Sequence, residues 1–183
     1  MDFDEVMKGR RSIRKFKDRD IPDSIIEYLL DLAMHAPSSM NGQPWQFIVI
    51  RDTATKKKLV EIKNRYCPIE KQMYQADFLT EAPVVIVVCV DKKKSFEREI
   101  ENGVLATAAI MLGAYHMGIG SVYLSAYRAV DPRISDEIRH SLGIPEIIDP
   151  VTIIPLGYPG ESPQPKTIVS LDKAVYYEKF GKR

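Results

Sequence analysis

Ala36-Pro37-Ser38-Ser39-Met40-Asn41-Gly42-Gln43-Pro44-Trp45-Gln46-Phe47 connects a stretch of helical periodicity to one of strand periodicity, and most of it can belong to neither. Its two prolines lack a backbone donor and push the residue before each of them out of helical conformation, so the connection is stiff at both ends. Ser38 and Ser39 bring hydroxyls that donate and accept, while Asn41, Gln43 and Gln46 each present a donor beside an acceptor. A heteroaromatic ring edge with alternating carbonyl and N–H groups matches such side chains. The same residues also make a plain helix stop with an Asx or Ser turn, and on this loop alone that reading is preferred.

Upstream, Pro22 to His35 reads as an amphipathic helix, with Ile25, Ile26, Leu29, Leu30 and Ala33 inward and Glu27 and Asp31 outward. Asp2 to Gly9 reads as a short helix with Phe3, Val6 and Met7 on one side and Gly9 as its stop. Between them lies Arg10-Arg11-Ser12-Ile13-Arg14-Lys15-Phe16. In an extended chain Arg10, Ser12 and Arg14 share one side, and Arg11 and Ile13 the other. Guanidinium groups beside a hydroxyl grip phosphate, although a solvated basic strand has the same composition.

Downstream, Gln46 to Ile50 is a short strand and Thr53 to Arg65 a surface helix whose Lys56-Lys57-Lys58 run forms its wet face. Tyr66 to Glu81 is irregular, and its Tyr66, Tyr74 and Phe78 either wall a pocket or pack the excursion onto the core. Val84 to Val90 is continuous and apolar, a strand buried on both faces. Glu101 to Met117 is a helix with almost no polar face, so it must be covered all round, at a domain centre or a subunit interface. Running on to Leu124, this stretch approaches the length of a membrane span, but His116, Gly118 and Gly120 interrupt it. Gly118 should stop the helix, and Ser121 to Leu124 restart as a strand. Gly118-Ile119-Gly120 follows a helix rather than opening one, so it is not a dinucleotide fingerprint.

Asp131-Pro132 caps a helix that runs to about Leu142 with Gly143 as stop. Val151 to Leu156 is a strand leading into the Gly157-Tyr158-Pro159-Gly160 turn, and Pro163-Gln164-Pro165-Lys166 is extended along a surface. Ser170 to Phe180 forms a short helix or an arm. Helices alternate with strands in a way that fits either α/β or α+β.

With 183 residues and 45% hydrophobic content, residues 1–183 read as one globular domain. Lys+Arg 26 against Asp+Glu 25 leaves a charge of +1, which gives no general pull toward nucleic acid or membrane. The chain opens Met-Asp-Phe-Asp-Glu, without the apolar core of a signal peptide, so a reduced, cytoplasmic setting is expected. Cys67, Cys89 and the three histidines (His35, His116, His140) fall in no ligand cluster, so no metal site is expected, and Cys89 is expected to be buried.

The Arg10-Arg11-Ser12-Ile13-Arg14 segment, the Ala36 to Phe47 loop, the small-residue helix at Glu101 to Met117 and the Leu156-Gly157-Tyr158-Pro159 turn together resemble the FMN-dependent nitroreductase family, in order and rough spacing. The resemblance implies an α+β fold, a mostly antiparallel central sheet flanked by helices, and an interlocked homodimer with FMN at its interface. It implies that Arg10, Arg11, Ser12 and Arg14 hold the phosphate, ribityl chain and pyrimidine edge, with Pro37, Ser38 and Ser39 supplied by the partner chain. Asn41 and Gln43 match positions near the pyrimidine and ring edge, Gly157, which opens the late turn, counts among the cofactor-binding residues, and Lys166 matches a basic residue on the phosphate. Leu124 and Ser125 match the segment that backs the ring near N5, where some relatives carry an acidic residue. Thr167 stands where a second basic residue often follows, which shifts the phosphate grip toward Arg10.

The chemistry so implied is that of an NAD(P)H oxidoreductase. FMN takes hydride from NADH or NADPH and passes reducing equivalents to a nitroaromatic, quinone or similar small aromatic acceptor in ping-pong fashion. No catalytic side chain is required; Arg14 is the candidate to stabilise charge on the reduced ring. Tyr66, Tyr74, Phe78 and Tyr127 are taken as structural by default, and Trp45 as a packing anchor. The alternatives are a specialised flavin enzyme of the same fold (dehalogenase or flavin-fragmenting) and an FMN-binding protein without catalysis. A nucleic-acid module on Arg10 to Lys15 is opposed by the charge balance.

Overall fold

The computed structural model describes residues 1–67, 75–127 and 131–182. Its sheet is built on β2 (Val84–Asp91). Val84 to Val90 are each at most 1% exposed, as an apolar run without a polar face requires. Side chains alternate across a strand, so Val85, Val87 and Cys89 point to one layer and Val84, Ile86 and Val88 to the other. Leu59 and Ile62 of α3 (Thr53–Arg65) and Ile134 and Ile138 of α7 (Arg133–Leu142) fill the first layer. Leu29 and Ala33 of α2 (Asp23–Met34) and Ala106 and Ile110 of α6 (Glu99–His116) fill the second.

β1 (Trp45–Ile50) and β5 (Ile148–Gly157) flank β2 antiparallel, and β3 (Gly120–Ser121) and β4 (Leu124–Ser125) pair with the far edge of β5. Every pairing between named strands is antiparallel, which makes the fold α+β and settles what periodicity left open. The shorter elements are α1 (Phe3–Gly9), α4 (Phe78–Glu81), α5 (Lys92–Ser95) and α8 (Leu171–Ala174). No helix among the described residues is long and apolar enough to cross a membrane.

The expected strand from Ser121 to Leu124 is two pieces instead. They share one register, with Ser121 opposite Leu156 and Leu124 opposite Ile153, so Val122 falls opposite Pro155, which has no N–H for a ladder bond. In β5 itself Val88 pairs with Thr152 and Cys89 with Pro150, so Val151 is an extra, bulged residue. A Cβ on Gly103 of α6 would meet the Val151 side chain at 2.7 Å, so the helix lies directly on the bulge.

Lys56 is not on the wet face. Only Lys57 and Lys58 of that run are exposed, because Lys56 shares the buried stripe of Leu59 and Val60. Its Nζ donates to the Ala82 carbonyl at 2.8 Å, and burial lowers its pKa. Gly118 and Gly143 do end α6 and α7 in left-handed conformation, with φ of 73° and 64°. Gly9 is no such stop: it permits close approach, since a Cβ there would lie 2.3 Å from the Tyr115 hydroxyl. In a single chain α6 is not covered all round, as Leu105 and Ala108 remain exposed. Cys89 is buried, and burial, aided by Asp149, pushes its thiol up to about 12.

Tyr66 donates to Glu137 Oε1 at 2.5 Å and Phe78 is buried, so both serve packing; Tyr74 lies outside the described residues. The Tyr66 hydrogen bond and Arg65 hold the Glu137 carboxyl below its ordinary value of 4.5. A depressed carboxylate stabilises the folded state fully above that ordinary value and loses its contribution as pH falls through the native one. Glu137→Gln should therefore be less stable than wild type at neutral pH, with the gap closing below about pH 4.5 in urea titrations. Ile86→Ala, in the second layer, should cost about 2–5 kcal/mol in the same measurement, with an unchanged m-value.

Candidate functional site

The Arg10–Phe16 segment is positioned at both ends. Asp2 caps α1 by accepting from the Glu5 N–H at 2.8 Å while Glu5 accepts from the Asp2 N–H, which fixes the helix that delivers Arg10. Ile13 then donates its N–H to the Ser121 carbonyl at 3.0 Å and buries its side chain against Gly120. Farther on, Lys17 donates to the Tyr158 carbonyl at 2.9 Å and Gly160 to the Lys15 carbonyl at 2.8 Å. Gly157 allows this seam, because a Cβ there would strike Phe16 at 2.6 Å. The Tyr158 ring is covered by the Arg19 guanidinium at 3.8 Å.

The seam brings Arg10, Arg11, Ser12 and Arg14 together with Lys166, around a cleft of about 500 Å³ that Glu161, Pro163 and Gln164 complete. Arg11 lies with the others, although an extended chain would turn it away. Its guanidinium folds back onto the carbonyls of Lys8 and Arg10, at 2.7 and 2.8 Å. Among the described residues that line it Glu161 is the one carboxylate, and its Oε1 is engaged by the backbone N–H groups of Arg14 (2.5 Å) and Lys15 (3.1 Å). Arg10 Nη1 is buried without a hydrogen-bond partner. A buried, unpaired guanidinium nitrogen is costly, and an anion with several acceptor oxygens removes that cost. The cleft fits a phosphate.

Pro37, Ser38, Ser39, Asn41 and Gln43 do not line this cleft. They form a separate loop in which Met40, Asn41 and Gln43 all have positive φ, 50°, 53° and 46°. Left-handed backbone at non-glycine residues stores strain and is held only by surrounding bonds. Gln43 N–H donates to Ser38 Oγ at 3.1 Å, Gln43 Nε2 to Asn41 Oδ1 at 3.2 Å, and Ser39 N–H to Asn102 Oδ1 at 3.0 Å. Trp45 packs on the second layer and donates Nε1–H to the Asn102 carbonyl at 3.0 Å. Asn102 was not singled out by sequence reasoning; the signal was a lone carboxamide in a mostly apolar helix.

Leu124 and Ser125 lie on β4, away from the cleft. The Ser125 carbonyl accepts from Lys63 Nζ at 2.6 Å, and the Ala126 N–H is taken by the Val151 carbonyl at 2.9 Å. Gly157 serves the seam rather than the cleft lining. Beside this segment, burial and the neighbouring Tyr127 raise the Tyr123 hydroxyl's pKa. Among the described residues no group of three or more His, Cys, Asp or Glu could hold a metal ion.

An antiparallel α+β sheet with a cationic cleft beside its last strand defines an α+β protein with a site suited to an anion, and the family follows from comparison. The model of the nitroreductase family matches residues 7–158, and the chain belongs to that family of oxidoreductases. It is 36% identical, over 98% of its own length and 88% of the relative, to the "Putative NADH dehydrogenase/NAD(P)H nitroreductase" of Methanothermobacter thermautotrophicus. An iodotyrosine deiodinase of Thermotoga neapolitana is 29% identical, over 88% of this chain and 90% of the relative. An FMN-dependent nitroreductase of Clostridium difficile superposes with a TM-score of 0.82 at 31% identity, covering 96% of this chain and 98% of that one.

Gly42 supports the strained loop by close contact, since a Cβ there would lie 2.1 Å from the Lys94 carbonyl oxygen. Backbone cannot yield as a side chain does, so Gly42→Ala should destabilise by about 1–3 kcal/mol, read by thermal unfolding.

Proposed function

We propose that this chain is an FMN-dependent NAD(P)H oxidoreductase that reduces nitroaromatic, quinone or similar small aromatic acceptors in ping-pong fashion. The observation that carries the reading is the buried, unpartnered Arg10 Nη1 in a cleft of Arg10, Arg11, Ser12, Arg14 and Lys166. The name of the FMN-dependent relative supports FMN as the phosphate carrier. When bound, FMN supplies hydride and electron chemistry between the nicotinamide donor and the acceptor.

The chain's own residues bind and orient. Arg10 and Lys166 hold the phosphate, Arg11 keeps the turn of the segment through the Lys8 and Arg10 carbonyls, and Ser12 offers a hydroxyl toward the ribityl chain. Arg14, its N–H fixed by Glu161, places a cation where negative charge gathers at the pyrimidine edge. Pro37, Ser38 and Ser39 come from the second chain, with Asn41 and Gln43 toward the ring edge and Leu124 and Ser125 behind it. Gly157 keeps the seam closed.

The reading includes an interlocked homodimer, one domain over residues 1–183 and a cytoplasmic setting. Exposed Ile100, Leu105 and Met117 on and beside α6, and exposed Ile168, Leu171, Tyr177 and Phe180 near the C-terminus, support the dimer, as apolar surface of this kind marks interfaces. A dehalogenating flavin enzyme is the second reading, favoured by the likeness to the deiodinase.

The test is the visible spectrum of the purified protein after loading with FMN and desalting, followed by anaerobic NADH and NADPH and then either a nitroaromatic or a halotyrosine. A retained yellow chromophore that bleaches with a nucleotide and recovers with the nitroaromatic is expected. Recovery with the halotyrosine alone favours the second reading, and no bleaching leaves a flavin carrier. Arg10→Ala should weaken FMN retention by about 10–150-fold in equilibrium binding, the scale of a buried charged hydrogen bond. A wild-type affinity in that variant would remove Arg10 from the phosphate site.

A further inference from the structure

Asn102 lies in the first turn of α6 and is 1% exposed. Its Oδ1 accepts from the Ser39 N–H at 3.0 Å and its Nδ2 donates to the Ser95 carbonyl at 3.1 Å, while its own carbonyl accepts from Trp45 Nε1 at 3.0 Å. One residue therefore ties three segments: the polar loop, the start of β1 and the end of α5. The partners fix the amide's orientation, because a backbone N–H can only donate and a carbonyl only accept.

Left-handed backbone flanks it on both sides. Met40, Asn41 and Gln43 have positive φ in the loop, and Phe96 (52°) and Glu97 (58°) have it just beyond Ser95. The two strained stretches press on each other, since the place of a Cβ on Gly42 is filled by the Lys94 carbonyl and the Phe96 ring. Such conformations persist only where surrounding bonds over-determine them, and Asn102 bonds the residue just before each stretch, Ser39 and Ser95.

We propose that Asn102 is the positioning residue that sets the shape of the Ser38–Gln43 loop, and through it the fit of that loop to a planar aromatic cofactor. The proposal rests on the reading in which this loop faces FMN bound by a second chain. A carboxamide is required. A carboxylate keeps the acceptor for Ser39 but sets an oxygen against the Ser95 carbonyl, and a methyl group serves neither partner.

The full-length protein is compared with Asn102→Ala, Asn102→Asp and Thr107→Val. Thr107 is a second buried polar residue of α6, tied instead to Thr152 on β5 at 2.6 Å, so its variant measures the general effect of losing a buried hydrogen bond. Hydrogen exchange of residues 38–43 is read without cofactor, and FMN affinity by flavin fluorescence. The expected result is faster exchange in Asn102→Ala, confined to the loop and the end of α5, with FMN affinity lowered at least about tenfold. Asn102→Asp should fall between Asn102→Ala and wild type, and it carries the comparison if Asn102→Ala does not fold. Wild-type loop exchange in the Asn102 variants, or a loss of affinity no greater than in Thr107→Val, would overturn the proposal. If the wild-type protein takes up no FMN, the functional reading fails, and loop exchange alone decides for or against Asn102.

Discussion

The fold depends on the burial of β2 from both sides. Each of its valine and isoleucine side chains gains about 1.5–3 kcal/mol on leaving water, whereas an exposed ion pair such as Lys8 with Asp4 is worth about 0–1 kcal/mol. Seven successive residues without a polar face therefore dictate two covering layers. Those layers in turn place both the cationic cleft and the polar loop. β5, paired along β2, ends at the turn to which Arg10–Phe16 is stitched, and α6, packed on the other layer, carries the Asn102 bonds to the polar loop.

What could be read from the sequence follows the range of the forces involved. β2, the long apolar α6 and its Gly118 stop are set by neighbours within a few residues, and local pattern finds them. The division of β3 from β4 was not legible, because it is caused by Pro155 on a strand about thirty residues away. Lys56 was misplaced for a similar reason. Its charge reads as solvent-facing, yet its stem lies on the buried stripe and its ammonium finds a carbonyl on another element.

The candidate site was legible in part. Arginine spacing named the cationic segment, but bringing Arg14 to Glu161 and Lys166 needs tertiary structure; Lys166 was anticipated only through resemblance, and Glu161 not at all. Period-two reasoning failed at Arg11, since a long side chain can fold back onto its own backbone. Asn102 escaped because a polar residue near the start of a mostly apolar helix reads as part of its solvated end. Its meaning lies in partners at positions 39, 45 and 95.

The seam between the beginning of the chain and the Tyr158–Glu161 turn also bears on how the protein is made. Arg14 and Glu161 are 147 residues apart, so one wall of the cleft emerges from the ribosome long before the other. Contacts of such separation carry a large loop-closure cost and form late, after the sheet that aligns them. The wall of the cleft that includes Lys166 is therefore missing from a nascent chain that has yet to present it.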